Sequence, residues 1–235
     1  MHRRDFTAGV GVAGVVAGAA AGVAVGVPGW ALAAGLTEGD AASGVRAALE
    51  RGAAAAVDML GRSDGFLGNP QVRIPLPKVL NDVARLLKAT GQGKQVDDLV
   101  TAMNRAAEAA VPQAKPLLVN AIKSLSVEEA LKIVRGSNTA VTEFFSSKTR
   151  AQLGEKFLPV VTKATEKVQL AERYNAVAGR AAGMGLLKGD DANVQQYVTA
   201  RALDGLFVMI GEEEKKIRGN PLQSGSAILR KVFGG

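Results

Sequence analysis

The stretch Asp97–Leu125, DDLVTAMNRAAEAAVPQAKPLLVNAIKSL, decides the fold because it combines helical periodicity with two prolines. Its apolar residues recur at spacings of three and four, which predicts one buried face on a helix. Pro112 and Pro116 each remove a donor from the helical hydrogen-bond ladder, so we expect a kink or a break near residues 110–113. The stretch therefore predicts a pair of helices at the centre of an all-α protein.

Three polar residues interrupt the apolar pattern near the middle of this stretch. Asn104 and Glu108 are one helical turn apart, and Arg105 lies one residue further round. One interpretation is a ligand-binding cluster that lines a pocket beside the kink. The other is a structural network, in which Arg105 pairs with a carboxylate and Asn104 holds the backbone of a loop around residues 68–70. Buried charges need such partners, so the sequence favours the network while the three residues stay candidates for ligand binding.

Two acidic residues of later predicted helices complete the candidate ligand-binding set. Glu143 and Asp204 could each pair with Arg105 or converge with Glu108. Two convergent carboxylates are sufficient for hydrolysis by general acid–base chemistry. A carboxylate-dependent hydrolase that acts on an envelope polymer is therefore the alternative to a binding protein.

Residues 61–77, GRSDGFLGNPQVRIPLP, form a long segment without helical character, which we call the long loop. Its glycines and prolines exclude a helix, while Val72, Ile74 and Leu76 alternate as in an extended segment with one buried side. Ordered loops of this length are uncommon unless they serve a purpose. The predicted structural residues of the loop are Phe66, Gly68, Asn69 and Pro70.

The remainder of the chain predicts helices, about eight to nine of them, in a single domain at residues 34–235. Capping-box patterns predict helix starts at Thr37, Ser126 and Thr149. Near the end of the last long helix, residues 212–218 form a charge cluster in which Glu212 and Lys216 have the favourable i,i+4 spacing, which predicts a solvated helix end.

The first 33 residues predict an export signal. Arg3 and Arg4 precede an Ala/Val/Gly run, and Ala31 and Ala33 supply the small residues of a cleavage site. The arginine pair and the weakly hydrophobic run are typical of twin-arginine export. A retained membrane anchor is the alternative, because glycines repeat at four-residue spacing through the run. We expect cleavage, no stable membrane span afterwards, and a periplasmic or otherwise extracytoplasmic protein.

The residue types exclude several chemistries. The chain has no Cys, and His2 is its single His, so removal of the signal leaves neither. Ser-His-Asp and Cys-His catalysis, Cys/His zinc sites, haem and iron–sulfur clusters then lose their usual residues. We predict no metal, no cofactor and no catalytic residue. The net charge of +7 comes from scattered Lys and Arg without interleaved aromatic residues, which argues against nucleic acid as a partner.

Eight motifs occur in a fixed order, namely GFLGNP, RIPLP, MNRAAEAAVP, AVTEFF, FLPVV, ALDGLF, EEEKKIR and VFG. In this combination, over about residues 36–235, the chain resembles a bacterial family known as domain of unknown function 4197. The resemblance implies an exported, all-helical protein and implies no activity, cofactor or catalytic residue. Together with the missing residue types, the helical core predicts a non-enzymatic binding or scaffold protein of the cell envelope, with an apolar ligand or an envelope protein as its partner.

Overall fold

The computed structural model describes residues 37–137, 139–166, 168, 170–172, 174–175 and 193–220, without the side chains at positions 79, 82 and 83. In these residues seven α-helices have defined bounds and no strand is present. They are α1 (Glu38–Leu60), α2 (Asn81–Ala89), α3 (Gly93–Ala110), α4 (Ala114–Lys123), α5 (Val127–Arg135), α6 (Ala140–Thr165) and α7 (Val194–Gly219). The predicted all-α class is confirmed, with seven helices in the described residues against the eight to nine predicted for residues 34–235. The predicted export signal lies outside the described residues.

Local sequence signals explain most helix ends. The Thr37 hydroxyl accepts a hydrogen bond from the Asp40 amide at 3.1 Å, and the Asp40 carboxylate accepts one from the Thr37 amide at 3.0 Å. Ser126 and Glu129 form the same reciprocal capping box at the start of α5. These two predicted starts are confirmed because each cap satisfies backbone donors that have no partner inside the helix.

The helix start predicted at Thr149 is wrong. Thr149 is buried inside α6, and its hydroxyl donates to the carbonyl oxygen of Phe145 at 2.6 Å. A threonine that bonds back to the preceding turn continues a helix instead of starting one. Two predicted helices are therefore one, which accounts for part of the difference in helix number.

The central stretch breaks where the prolines predict it. Val111–Gln113 forms a 3₁₀ turn that contains Pro112 and connects α3 to α4. α3 buries Leu99 and Met103, and α4 buries Leu118 and Ile122 in the same core. The turn lets the chain bend while both helices keep their apolar faces on one side.

α6 and α7 form an antiparallel pair onto which the other long helices pack. Arg150 of α6 pairs with Asp204 of α7, and further along α6 the Thr165 hydroxyl accepts from Gln195, near the start of α7. α3 packs against α6 and α1 packs against α7. None of the described helices is long and apolar enough to cross a lipid bilayer.

Candidate functional site

The polar residues of α3 hold the long loop against the helices. Glu108 is buried, and its Oε1 accepts hydrogen bonds from the amides of Phe66 at 3.0 Å and Leu67 at 3.1 Å. Asn104 is fully buried; its Oδ1 accepts from the Ile74 amide at 2.8 Å and its Nδ2 donates to the Ile74 carbonyl at 2.9 Å. Asn104 thus pairs with Ile74 as a neighbouring strand would. The geometry agrees with the structural network predicted from the sequence.

The loop contact of Asn104 differs from the predicted one. Asn104 bonds to Ile74 and not to residues 68–70, because the backbone there is satisfied within the loop. The Gly68 amide donates to the Asp64 carbonyl and the Asn69 amide to the Phe66 carbonyl, both at 3.1 Å. The extended backbone at Ile74 presents an N–H and a C=O on the same side, which an amide side chain matches.

Arg105 ties the start of the loop to the same network. Its Nη1 lies 2.7 Å from Glu108 Oε2, and its Nη2 lies 2.8 Å from Asp64 Oδ1. The hydrogen bond to Glu108, followed by that to Asp64, raises the pKa of Arg105 against the opposing effect of desolvation. Asp64 has a φ of 64°, a left-handed conformation that aspartate tolerates better than most residues. Arg105 therefore stabilises a turn, and its partners do not include Glu143 or Asp204.

Phe66 anchors the tip of the loop in the core. Its side chain is fully buried and packs over Gly205 of α7. A Cβ at position 205 would lie 2.7 Å from Phe66 Cε1 and 3.2 Å from Val72 Cβ. Gly205 is thus the position where α7 lets the loop approach closely, and a larger residue would require the loop to move.

The other loop residues singled out by the sequence shape its turn. A Cβ at Gly68 would lie 2.9 Å from the Asp64 Cβ, so the turn is too tight for a side chain there. Asn69 Oδ1 accepts from the Gln71 amide at 3.1 Å, an Asx turn. Pro70 is exposed between them. Together these residues shape the turn that follows Phe66.

The two remaining candidate carboxylates lie in separate places. Asp204 bridges two arginines, with 2.6 Å to Arg150 Nη2 and 3.1 Å to Arg201 Nη1. Glu143 is exposed in the first turn of α6 and accepts a hydrogen bond from the Thr139 hydroxyl at 2.9 Å. Neither shares a partner with the carboxylate of the α3 network. The five candidate ligand-binding residues therefore divide into the loop network, the Asp204 bridge and the exposed Glu143 carboxylate.

A groove between α6 and α7 begins beside the Asp204 bridge and is open to solvent. Its volume is about 420 Å³. A Cβ at Gly154 would meet nothing within 4 Å, so the glycine leaves this space unfilled. The groove is lined by Arg150, Ala151, Gly154, Glu155 and Leu158 of α6 and by Gln196, Thr199, Ala200 and Leu203 of α7.

Thr199 gives this groove an unusual polar feature. The residue is only 8% exposed, and its hydroxyl oxygen is buried without a hydrogen-bond partner. Thr149 and Thr165, also buried in a helix, instead donate to the carbonyl four residues earlier, at 2.6 Å and 2.9 Å. Buried hydroxyl groups in proteins nearly always have a partner. The Thr199 hydroxyl is thus an unsatisfied polar group inside the wall of the groove.

A second buried polar pair joins three helix ends. Arg218 donates to the carbonyls of Ile133 at 2.8 Å and Val134 at 3.3 Å, at the end of α5, and pairs with Glu214 at 2.7 Å. Burial raises the pKa of Glu214, while Arg218 and the Val141 amide at the start of α6 oppose this. The predicted solvated surface at residues 212–218 is wrong at Glu214, which is 6% exposed.

The space around this ion pair is too small for most ligands. One Glu214 oxygen, Oε2, is buried without a hydrogen-bond partner. The adjoining cavity has a volume of about 20 Å³ and apolar walls, roughly the space for one water molecule. We interpret the pair as a structural link, because each charge faces the helix terminus of opposite partial charge.

Sequence patterns did not indicate the groove. Its polar residues Arg150, Glu155 and Thr199 are at ordinary helix positions with no motif around them. The one feature of the sequence that could have indicated the groove is the pair of small residues Ala151 and Gly154 in α6, because they leave a helix surface without bulky side chains.

Comparison with known proteins identifies the family. The family model described as Protein of unknown function (DUF4197) matches residues 35–234, which include all seven helices, the long loop and the groove. Comparisons with curated proteins and with solved structures give no match. The resemblance carried by the eight motifs is thereby confirmed, and the chain belongs to the family of Protein of unknown function (DUF4197).

Proposed function

We propose that the protein is a non-enzymatic binding protein of the bacterial cell envelope whose ligand occupies the groove between α6 and α7. The observation that carries this proposal is the solvent-open groove itself, of about 420 Å³, in which Gly154 leaves space unfilled and Arg150 and Glu155 place opposite charges. Opposite charges along one groove favour a ligand that carries both.

The groove suits a ligand better than the polar residues of α3 do. The Asn104 amide makes three hydrogen bonds, two to Ile74 and one to the Val100 carbonyl. Both oxygens of Glu108 are engaged, one by the loop amides and one by Arg105. A ligand at these residues would first have to displace the long loop.

A binding role without catalysis is supported by the placement of the acidic residues. The alternative, a carboxylate-dependent hydrolase, requires two carboxyl groups within roughly 5–10 Å in one cleft. Asp204 is paired with two arginines, and Glu143 accepts a hydrogen bond from the Thr139 hydroxyl at the surface. The envelope location rests on the twin-arginine pattern at Arg3 and Arg4 and on the small residues that follow it.

Native mass spectrometry of protein recovered from its own compartment tests the proposal, with a variant that fills the groove. Gly154→Leu adds a side chain whose Cβ meets nothing within 4 Å, and we expect its remaining atoms to fill the groove. The substitution also removes a glycine from a helix interior, which favours the helix by about 0.8 kcal/mol. Gln152→Leu is the matched control, because Gln152 is an exposed residue of α6 outside the groove lining.

We expect wild type and Gln152→Leu to carry the same additional mass and Gly154→Leu to carry none. A bare polypeptide mass for wild type, with no partner in cross-linking, would contradict the proposal. An additional mass that persists in Gly154→Leu would place the ligand elsewhere and would equally overturn it.

A further inference from the structure

We infer that the groove binds a short peptide with free termini, its α-carboxylate at Arg150 and its α-ammonium at Glu155. The inference rests on the proposed function and names the class of ligand. It follows from the opposite charges at the two positions, from their spacing and from the polar groups between them.

The Arg150 end of the groove carries an excess of positive charge. Arg150 and Arg201 share the single carboxylate of Asp204, and their side chains remain 41% and 46% exposed. Aromatic rings fix both guanidinium groups, with Arg150 Cζ 5.8 Å from the centre of Phe207 and Arg201 Cζ 5.5 Å from that of Tyr197. A fixed guanidinium with unused N–H groups is suited to a carboxylate.

The α6 side of the groove also carries a carboxylate. Glu155 lines the groove, is exposed, and makes no ion pair or hydrogen bond within the described part of the chain. It lies five residues beyond Arg150 on α6, about 7.5 Å along the helix axis and about 140° around it. An extended peptide spans roughly 3.3–3.6 Å per residue. Two or three residues therefore cover the axial part of the separation between the two charges.

The groups between the two charges suit a peptide backbone with apolar side chains. The Gln196 side chain offers both an N–H donor and a C=O acceptor to a peptide backbone. Ala151, Ala200 and Leu203 supply small apolar contacts. A simple anionic amphiphile would use Arg150 but would place hydrocarbon against Glu155 and Gln196, which costs free energy.

Isothermal titration calorimetry on the purified full chain tests the inference with four forms of one peptide. The peptide Ala-Leu-Ala is used with both termini free, with the C-terminus amidated, with the N-terminus acetylated, and with both blocked. We expect the free peptide to bind most tightly. Each block removes one charge-assisted contact at a partly exposed site and weakens binding by about fivefold to tenfold.

Two variants assign each terminus to its residue. In Arg150→Gln we expect amidation of the peptide to have no further effect, while acetylation still weakens binding. In Glu155→Gln we expect acetylation to have no further effect, while amidation still weakens binding. Arg150→Lys keeps the charge and most of the amidation effect. Lys115→Gln, which removes an exposed charge from α4 outside the groove, keeps both effects as in wild type. Circular dichroism verifies that each variant is folded.

The outcomes separate the inference from the proposed function. If amidation and acetylation still weaken peptide binding in Arg150→Gln and Glu155→Gln as they do in wild type, the inference is wrong. So would a native ligand without peptide bonds that is lost in Gly154→Leu, although the proposed function would then stand. If no compound binds and wild type carries no additional mass, both are wrong.

Discussion

Glu108→Gln is the substitution that most directly tests how the long loop is held. The carboxylate of Glu108 is 6% exposed and makes three hydrogen bonds, two to loop amides at 3.0 and 3.1 Å and one to Arg105 at 2.7 Å. Glutamine has nearly the same shape but carries one oxygen and one NH₂ group. If the oxygen stays on the loop amides, the NH₂ faces the guanidinium, donor against donor.

The expected cost follows from these contacts. A hydrogen bond to a charged group contributes about 1.5–3 kcal/mol, and an unsatisfied buried donor costs about 1–3 kcal/mol. Arg105 is 40% exposed, so water compensates part of its lost ion pair. We therefore expect Glu108→Gln to lower the free energy of unfolding by about 2–3 kcal/mol. For a chain of this size that corresponds to a fall in Tm of roughly 4–12 °C.

Urea unfolding followed by far-ultraviolet circular dichroism measures this effect. The matched control is Glu143→Gln, the same chemical change at an exposed carboxylate, which we expect to alter the free energy by less than about 0.5 kcal/mol. A loss for Glu108→Gln no larger than that of the control would refute the role of Glu108 in holding the loop.

Four further predictions concern individual contacts. Gly205→Ala puts a methyl group 2.7 Å from Phe66 Cε1, and urea unfolding should show that the free energy of unfolding falls by about 1–3 kcal/mol. In a double-mutant cycle Phe66→Leu should reduce this loss, whereas additive losses would argue against the contact. Thr199→Val removes the unpartnered hydroxyl, and we expect thermal unfolding to show a gain of about 1 kcal/mol; a loss would mean that the hydroxyl is satisfied. The Ser126 amide, and then Lys148, lower the pKa of Glu129 to about 2. The contribution of Glu129 to stability is therefore complete above its unfolded pKa of about 4.3 and is lost as the pH falls through about 2. NMR titration of the carboxyl group measures this pKa, and an unshifted value would refute the prediction. Burial raises the pKa of Glu214. Its contribution to the free energy of unfolding is therefore present below the unfolded pKa and is lost as the pH rises through the folded pKa. Glu214→Gln should remove this pH dependence of stability, and a pH dependence parallel to that of wild type would contradict the prediction.

Features of the fold that depend on neighbouring residues could be predicted from the sequence. The caps at Thr37 and Ser126 involve partners three residues away, and the break at Pro112 needs no partner at all. Thr149 shows the limit of such patterns, because it has the residues of a cap but donates to the Phe145 carbonyl in a continuous helix. Whether a hydroxyl starts or continues a helix depends on the backbone conformation before it, which local residue types do not fix.

Features that depend on contacts between helices could not be predicted in the same way. Asn104 and Glu108 were recognised as network residues, but the atoms they bond depend on the path of the loop. Glu214 and Arg218 look like surface charges in the sequence and become buried because the ends of α5 and α6 meet α7 there. The free hydroxyl of Thr199 is likewise a result of how α6 and α7 pack, since an isolated helix would leave it in water.

Hydrogen–deuterium exchange with and without bound ligand tests most directly which of the two polar regions is the binding site. The ligand is either the free peptide Ala-Leu-Ala or the molecule recovered with the native protein. We predict slower exchange on binding in residues 150–158 and 196–203, with residues 61–77 unchanged. Slower exchange in residues 61–77 and 104–108, with no change in the groove, would contradict the assignment of the ligand to the groove and return it to the polar residues of α3.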